Sequence, residues 1–383
     1  MEKELMKKKS GLPPIPVFIS GQPAKRNIVR KKDYSPVYWD KYFDTRLDVT
    51  TDAGDTFRVY ERGHDGPALF LLHGGGFSAL SWALLSTHVT ALVKCRCVAV
   101  DLRGHGDSVT SDDTNLSAEQ MSSDVGDIIS SLYKGDPPPI ILVGHSMGGA
   151  IAVHAAYRNL VHSLIGIAVI DVVEGTAMES LSSMQSFLRG RPKVFDTMET
   201  AIEWAVRSGQ IQNVESARVS MIGQLKSVST NETGSVELEH QHISVSDTIE
   251  EELPDDELPE TSSASVTDSF KSPTNSNQDH KYTWRIDLSK TEKFWTGWFE
   301  GLSQKFLSCN APKMLILAGP DRLDKDLTIG QMQGKFQMNL LPQCGHAVHE
   351  DAPDKVADVL ASFMLRHKVA EAIGNFERSM PGC

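Results

Sequence analysis

At 383 residues and 40% apolar content, the chain can bury the core of one large α/β domain or of two smaller ones. Its net charge of −12 is local: residues 237–260 hold ten acidic side chains and no Lys or Arg, so the remainder carries about −2 and gives no case for nucleic-acid binding. There is no 18-residue apolar run to span a membrane, MEKELMKKKS lacks the apolar core of a secretory signal, and Cys95, Cys97, Cys309, Cys344 and Cys383 are scattered without metal-site spacing. A reducing, cytoplasmic or nuclear location is therefore expected, with no membrane partner.

Residues 1–38 read as a basic arm with nine Lys/Arg against three acids; Lys25-Arg26 and Arg30-Lys31-Lys32 have the character either of a nuclear-localisation patch or of a solvated arm. Aromatic residues between Tyr34 and Phe43 mark where the chain docks on a core, and the domain proper starts at 39. Apolar patterning predicts strands over Arg46–Thr51 and Phe57–Arg62, and buried strands over Ala68–Leu72 and Cys97–Asp101. Helices are predicted over Trp82–Val93 and over Leu116–Tyr133, where Met121, Val125, Ile128, Ile129 and Leu132 share a face. Ile140–Val143 is a further buried strand, running without a spacer into Gly144-His145-Ser146-Met147-Gly148 and a helix from Ala150. A strand over Ile165–Ile170 ends at Asp171. A strand at Lys313–Ala318, a helix near Asp326–Met332, a strand near Phe336–Leu341 and a helix over Pro353–Lys368 complete the pattern.

This alternation predicts an α/β fold: a mostly parallel central sheet, helices on both faces, and reactive groups at the strand C-termini. The core takes in 39–174 and 306–383, and residues 175–305 form an inserted cap, helical at Phe195–Val206 and Phe294–Phe306. Within it, residues 226–280 are rich in Ser, Thr, Glu, Asp and Pro and read as a disordered acidic loop.

Strand, G-x-S-x-G and helix in that order make a nucleophile elbow, with Ser146 as the candidate nucleophile. A serine hydroxyl needs a base, and His346, in the loop after the last predicted strand, stands where this architecture delivers one; His349 is its competitor. The acid that orients the imidazole is either Asp171 or, after the next strand, Asp321 or Asp324, and the residues alone leave that choice open. Backbone N–H groups of Gly74-Gly75-Gly76 and of Met147 can converge on a developing oxyanion. The DLRGHGDS run from Asp101 to Ser108 reads as structural, with Arg103 paired to Asp107. Such chemistry needs no metal and no organic cofactor.

Over residues 46–175 and 306–370 these parts resemble the α/β-hydrolase superfamily. More closely, Gly144–Ala150, Val169–Met178, Tyr282–Arg285, Phe294–Ser303 and Ala318–Lys325 look like segments of the protein phosphatase methylesterase family. That resemblance implies demethylation of the C-terminal leucine methyl ester on the catalytic subunit of type 2A protein phosphatase, through an acyl-enzyme. It puts the nucleophile on Ser146, the acid on Asp171 and the histidine on His346, with the methylated tail of that subunit as partner. Two other readings share these residues: a small-molecule or lipid carboxylesterase, and a phosphatase-binding scaffold that docks through its acidic loop and basic arm.

Overall fold

A computed structural model describes residues 32–250, 281–319, 323–374 and 376, giving only the backbone of 243–250. Lys25, Arg26, Arg30 and Lys31 of the N-terminal arm and the candidate acid Asp321 lie outside the described residues. From Tyr34 onward the chain builds one unit. Its first part runs β1 (Thr45–Thr50), β2 (Thr56–Arg62), β3 (Ala68–Leu72), α1 (Ala83–Leu92), β4 (Arg96–Val100), α2 (Ala118–Tyr133), β5 (Ile140–His145), α3 (Met147–Tyr157) and β6 (Leu164–Ile170). The cap follows as α4 (Glu174–Gly190), β7 (Val194–Phe195), α5 (Met198–Ser208), α6 (Val214–Gln224), β8 (Leu225–Ser227), α7 (Gly234–Glu250), β9 (Tyr282–Trp284), α8 (Glu292–Phe299) and α9 (Leu302–Ser308). The core resumes with β10 (Lys313–Leu317), α10 (Lys325–Met332), β11 (Gln337–Leu340), α11 (Val348–Asp351) and α12 (Pro353–Arg366).

Eight strands form one sheet in the order β1-β2-β4-β3-β5-β6-β10-β11, in which β2 alone runs against its neighbours. The continuous apolar runs follow from burial on both faces. On β3, Leu69 and Leu71 join the cluster under α1 and α12, while Phe70 and Leu72 join the cluster under α2 and α3. Each such side chain contributes about 1.5–3 kcal/mol on full burial. Trp295, Trp298 and Phe306 from the cap extend the second cluster, so the cap is anchored to the sheet.

The segment expected to be disordered from residue 226 is folded through its first part. β8 pairs with β9, which also pairs with β7, and α7 lies beside them. Composition counted its polar residues as a cost, but they are individually satisfied. Glu239 pairs with Arg46, Glu237 accepts from Tyr282 Oη at 2.7 Å, and Thr233 and Ser235 both bond to Asp107. Leu238 is buried, and the His242 ring stacks on Tyr38 with centroids 4.3 Å apart. Of the expected acidic loop, residues 251–280 lie outside the described residues.

A second expectation fails. Arg103 is not paired with Asp107; it is buried in a fork with Asp124 (2.7 and 2.8 Å) and Asp55 (2.6 Å). Asp107 faces Arg58 at 3.1 Å. Between the two, Gly104 (φ +72°) and Gly106 (φ +49°) reverse the chain, so residues four apart point to different sides of the loop.

Candidate active site

Ser146 sits between β5 and α3 at φ +51°, ψ −120°, a backbone region that non-glycine residues occupy only under constraint. The constraint is visible on both sides. A Cβ on Gly144 would lie 2.2 Å from the carbonyl oxygen of Gly148, and one on Gly148 would lie 2.2 Å from that of Leu72. The chain can therefore turn this sharply only with glycine at both places. The turn is held by Ser146 N–H donating to Ile170 O at 2.9 Å, which also brings the end of β6 alongside.

Asp171 is the first residue past that end, itself at φ +51°. Its Oδ2 is 2.8 Å from His346 Nδ1, and its Oδ1 accepts from the N–H of Ala318 at 3.1 Å. The carboxylate is fully buried, whereas the His346 side chain is 52% exposed, so the imidazole has one anchored nitrogen and one free to face solvent or substrate. The end of β10 thus supplies an N–H to the acid, and Asp324 does another task. It caps α10 by accepting from Leu327 N–H at 2.9 Å, and it bonds to Ser303 Oγ. His349, the competing histidine, is buried against the Trp82 ring at 4.1 Å, and burial lowers its pKa to about 3. It is held neutral, and neither ring nitrogen has a hydrogen-bond partner among the described residues.

The loop carrying His346 is pinned from three directions. His145, the residue before the elbow serine, donates from Nε2 to the His346 carbonyl at 2.8 Å. Asp351 accepts from the N–H groups of Gly345 and of Gln212 in the cap, each at 2.7 Å. Glu350, fully buried, accepts from Ser216 (2.7 Å) and Ser220 (3.1 Å) of α6.

Burial pushes the Glu350 carboxyl up to about 8. Because the folded pKa lies above the unfolded value of 4.5, its stabilising share is complete below pH 4.5 and is lost as pH rises toward 8. Glu350→Gln keeps a donor and an acceptor for the two serines. It is expected to match the parent near pH 5 and to exceed it by on the order of a few kcal/mol at pH 8 and above. Unfolding midpoints measured from pH 5 to pH 9 read this directly; parallel curves for both proteins would refute it.

Two loops meet beside the elbow. His73 Nε2 accepts from Leu102 N–H, and His105 Nε2 accepts from Gly76 N–H, both at 3.0 Å. Burial lowers the pKa of both histidines, so each serves as a neutral brace. The brace removes Gly76 from the expected oxyanion donors, since its N–H is already bonded. Gly75 and Met147 line the pocket over Ser146, while Gly74 lies behind them against the His145 ring.

That pocket is about 280 Å³ and is mainly apolar, walled by Met147, Leu188, Leu288, Trp295 and Phe299, and lined also by Ser146 and His346. Leu288 comes from the cap and lies directly over Gly75 and Gly76. The sequence reading missed α4, which forms one wall, although Ala177, Leu181, Met184 and Leu188 recur at helical spacing. It also missed Arg191, which lines the same pocket and has no motif around it.

The pattern of the alpha/beta hydrolase family matches residues 69–359. A protein phosphatase methylesterase 1 of Mus musculus is 56% identical over 369 residues, taking in 95% of this chain and 93% of that protein. A probable protein phosphatase methylesterase 1 of Caenorhabditis elegans is 43% identical, covering 91% and 82%, and one of Dictyostelium discoideum is 36% identical, covering 90% and 96%. Among solved structures, an E-2-(acetamidomethylene)succinate hydrolase superposes with a TM-score of 0.59 at 17% identity, over 84% of this chain and 99% of that one. At that identity the likeness is one of fold.

Proposed function

This chain belongs to the protein phosphatase methylesterase family of α/β hydrolases, and from that membership we propose that it removes the methyl ester from the C-terminal leucine of the type 2A protein phosphatase catalytic subunit. What carries the reading at the site is the 2.8 Å contact of Asp171 with His346, which lines an apolar pocket together with Ser146. Ser146 Oγ attacks the ester carbonyl as His346 Nε2 takes the hydroxyl proton, and Asp171 stabilises the resulting imidazolium. The N–H groups of Gly75 and Met147 receive the developing oxyanion. Collapse breaks the carbonyl–methoxy bond, His346 returns its proton to the leaving oxygen, and methanol departs. Water then attacks the acyl-enzyme with His346 again as base, releasing the carboxylate and restoring Ser146. The pocket's apolar walls favour the uncharged ester over the charged product.

The test is methanol release and intact-mass change with a methyl-esterified type 2A catalytic subunit, run beside a panel of small and lipid esters. Loss of the methyl group from the phosphatase is expected. Turnover of the small esters with none on the methylated subunit would overturn the proposal.

Residues 251–280 contain none of these groups. Deleting them behind a short Gly/Ser bridge is expected to leave hydrolysis of a small activated ester within about twofold of the parent. Attack on the phosphatase is expected to slow, more at low salt than at high salt, as an acidic segment steers encounter. Starting the deletion at 226 instead strips Arg46 and Tyr282 of their carboxylate partners and Asp107 of the Thr233 and Ser235 hydroxyls, and both reactions and the unfolding midpoint are expected to fall. Unchanged rates in the longer deletion would contradict the packed role of β8 and α7.

A further inference from the structure

The pocket over Ser146 shares Leu188, Arg191 and Leu288 with a neighbouring groove of about 410 Å³, lined further by Arg189, Lys193 and Trp284. Arg191 lies at the junction. Its guanidinium is 3.5 Å from the centre of the Trp284 ring and 5.9 Å from that of Trp204. Its Nε is buried without a hydrogen-bond partner, and no carboxylate pairs with it among the described residues. Burial brings its pKa down to about 10, which leaves it a cation at neutral pH. Stacking on indole compensates a buried cation only in part. The rim adds the exposed cations Arg189 and Lys193. The carboxylate in the groove lining, Asp287, is already engaged by Ser289 and Lys290.

An apolar pocket that continues into a groove lined by Arg189, Arg191 and Lys193, none of which pairs with a carboxylate among the described residues, suits a chain terminus. The geometry points to Arg191 as a specificity-determining residue that pairs with an acidic side chain of the substrate peptide, a few positions before its esterified terminal residue. The inference rests on the reading that the substrate is an esterified polypeptide end. The terminal apolar side chain fills the pocket beside Ser146. The preceding residues pass Leu188 and Leu288, and the carboxylate meets the guanidinium edge that stacking on Trp284 leaves free. A charge-assisted pair in so sheltered a place discriminates about tenfold or more against the uncharged isostere.

The experiment uses the full chain and two series of synthetic peptides ending in leucine methyl ester, identical except for Asp or Asn at one of the second to fifth positions from the end. The parent is expected to show a kcat/KM about tenfold higher for the Asp peptide at the favoured position, with the advantage shrinking at high salt. In Arg191→Gln the Asp/Asn ratio falls to about one, and in Arg191→Lys part of it returns. Thermal unfolding of each variant separates loss of selectivity from loss of fold. A ratio that persists in Arg191→Gln overturns the proposal, as does one lost only in Arg189→Gln or Lys193→Gln. A third contrary result assigns the cation to the product: Arg191→Gln relieves inhibition by demethylated peptide equally for both series, while the parent shows no Asp/Asn preference. If the parent hydrolyses small esters but no esterified peptide, the reading of the substrate fails, and this proposal with it.

Discussion

Ser146→Ala is expected to lose on the order of 10³ to 10⁶ in turnover on both the methylated phosphatase and a small activated ester. The size of the loss follows from what remains. On the proposed mechanism, Gly75 and Met147 still offer their N–H groups and the pocket still binds, but no covalent intermediate forms, and His346 must activate water from a position suited to a hydroxyl. Alanine retains the Cβ of serine, so the elbow keeps its contacts and its strained φ of +51°, and the unfolding midpoint should stay near that of the parent. Covalent labelling by an active-site phosphonate should disappear in parallel. A folded Ser146→Ala protein within tenfold of parental turnover would remove the nucleophile assignment.

Asp171→Asn is expected to lower kcat by about 10³ to 10⁴ with little change in fold. The reason lies in the second partner of the carboxylate. Oδ1 accepts from Ala318 N–H, so an asparagine there keeps its carbonyl oxygen on that donor and turns its NH₂ toward His346 Nδ1. Nδ1 must then accept, the ring proton moves to Nε2, and the nitrogen that should take the serine proton is already protonated. Asp324→Asn retains an oxygen for the Leu327 N–H, and its turnover should stay within a few-fold of the parent. Kinetics of both variants on the same ester, with folding checked by thermal unfolding, make the comparison. An inactive Asp324→Asn beside an active Asp171→Asn would mean that the acid comes from the other strand.

The strands of the main sheet were legible because burial on both faces leaves uninterrupted apolar runs, and Ala68–Leu72 needed no adjustment. The elbow was legible because strand, glycines and helix are contiguous. Which carboxylate meets His346 was not, because Asp171 and Asp324 both follow sheet strands, and the difference is set by an Ala318 N–H that is 147 residues away from Asp171. The same holds for the folding of residues 226–242. Glu239 finds Arg46 across 193 positions and Ser235 finds Asp107 across 128, and neither pairing leaves a local trace in composition. Arg103 was misassigned for a related reason: proximity in sequence suggested Asp107, but the chain reverses between them.

The backbone at Ser146 also bears on how this sequence evolves. A φ of +51° with ψ of −120° is freely open to glycine and costs any other residue on the order of 1–3 kcal/mol. That is an appreciable part of the margin by which a domain stays folded. For stability alone, the best residue at the tip of this turn is glycine, which has no hydroxyl. With Ser146 as the proposed nucleophile, mutational drift at this codon runs toward a sturdier protein that does nothing, and only selection for turnover holds the serine in place.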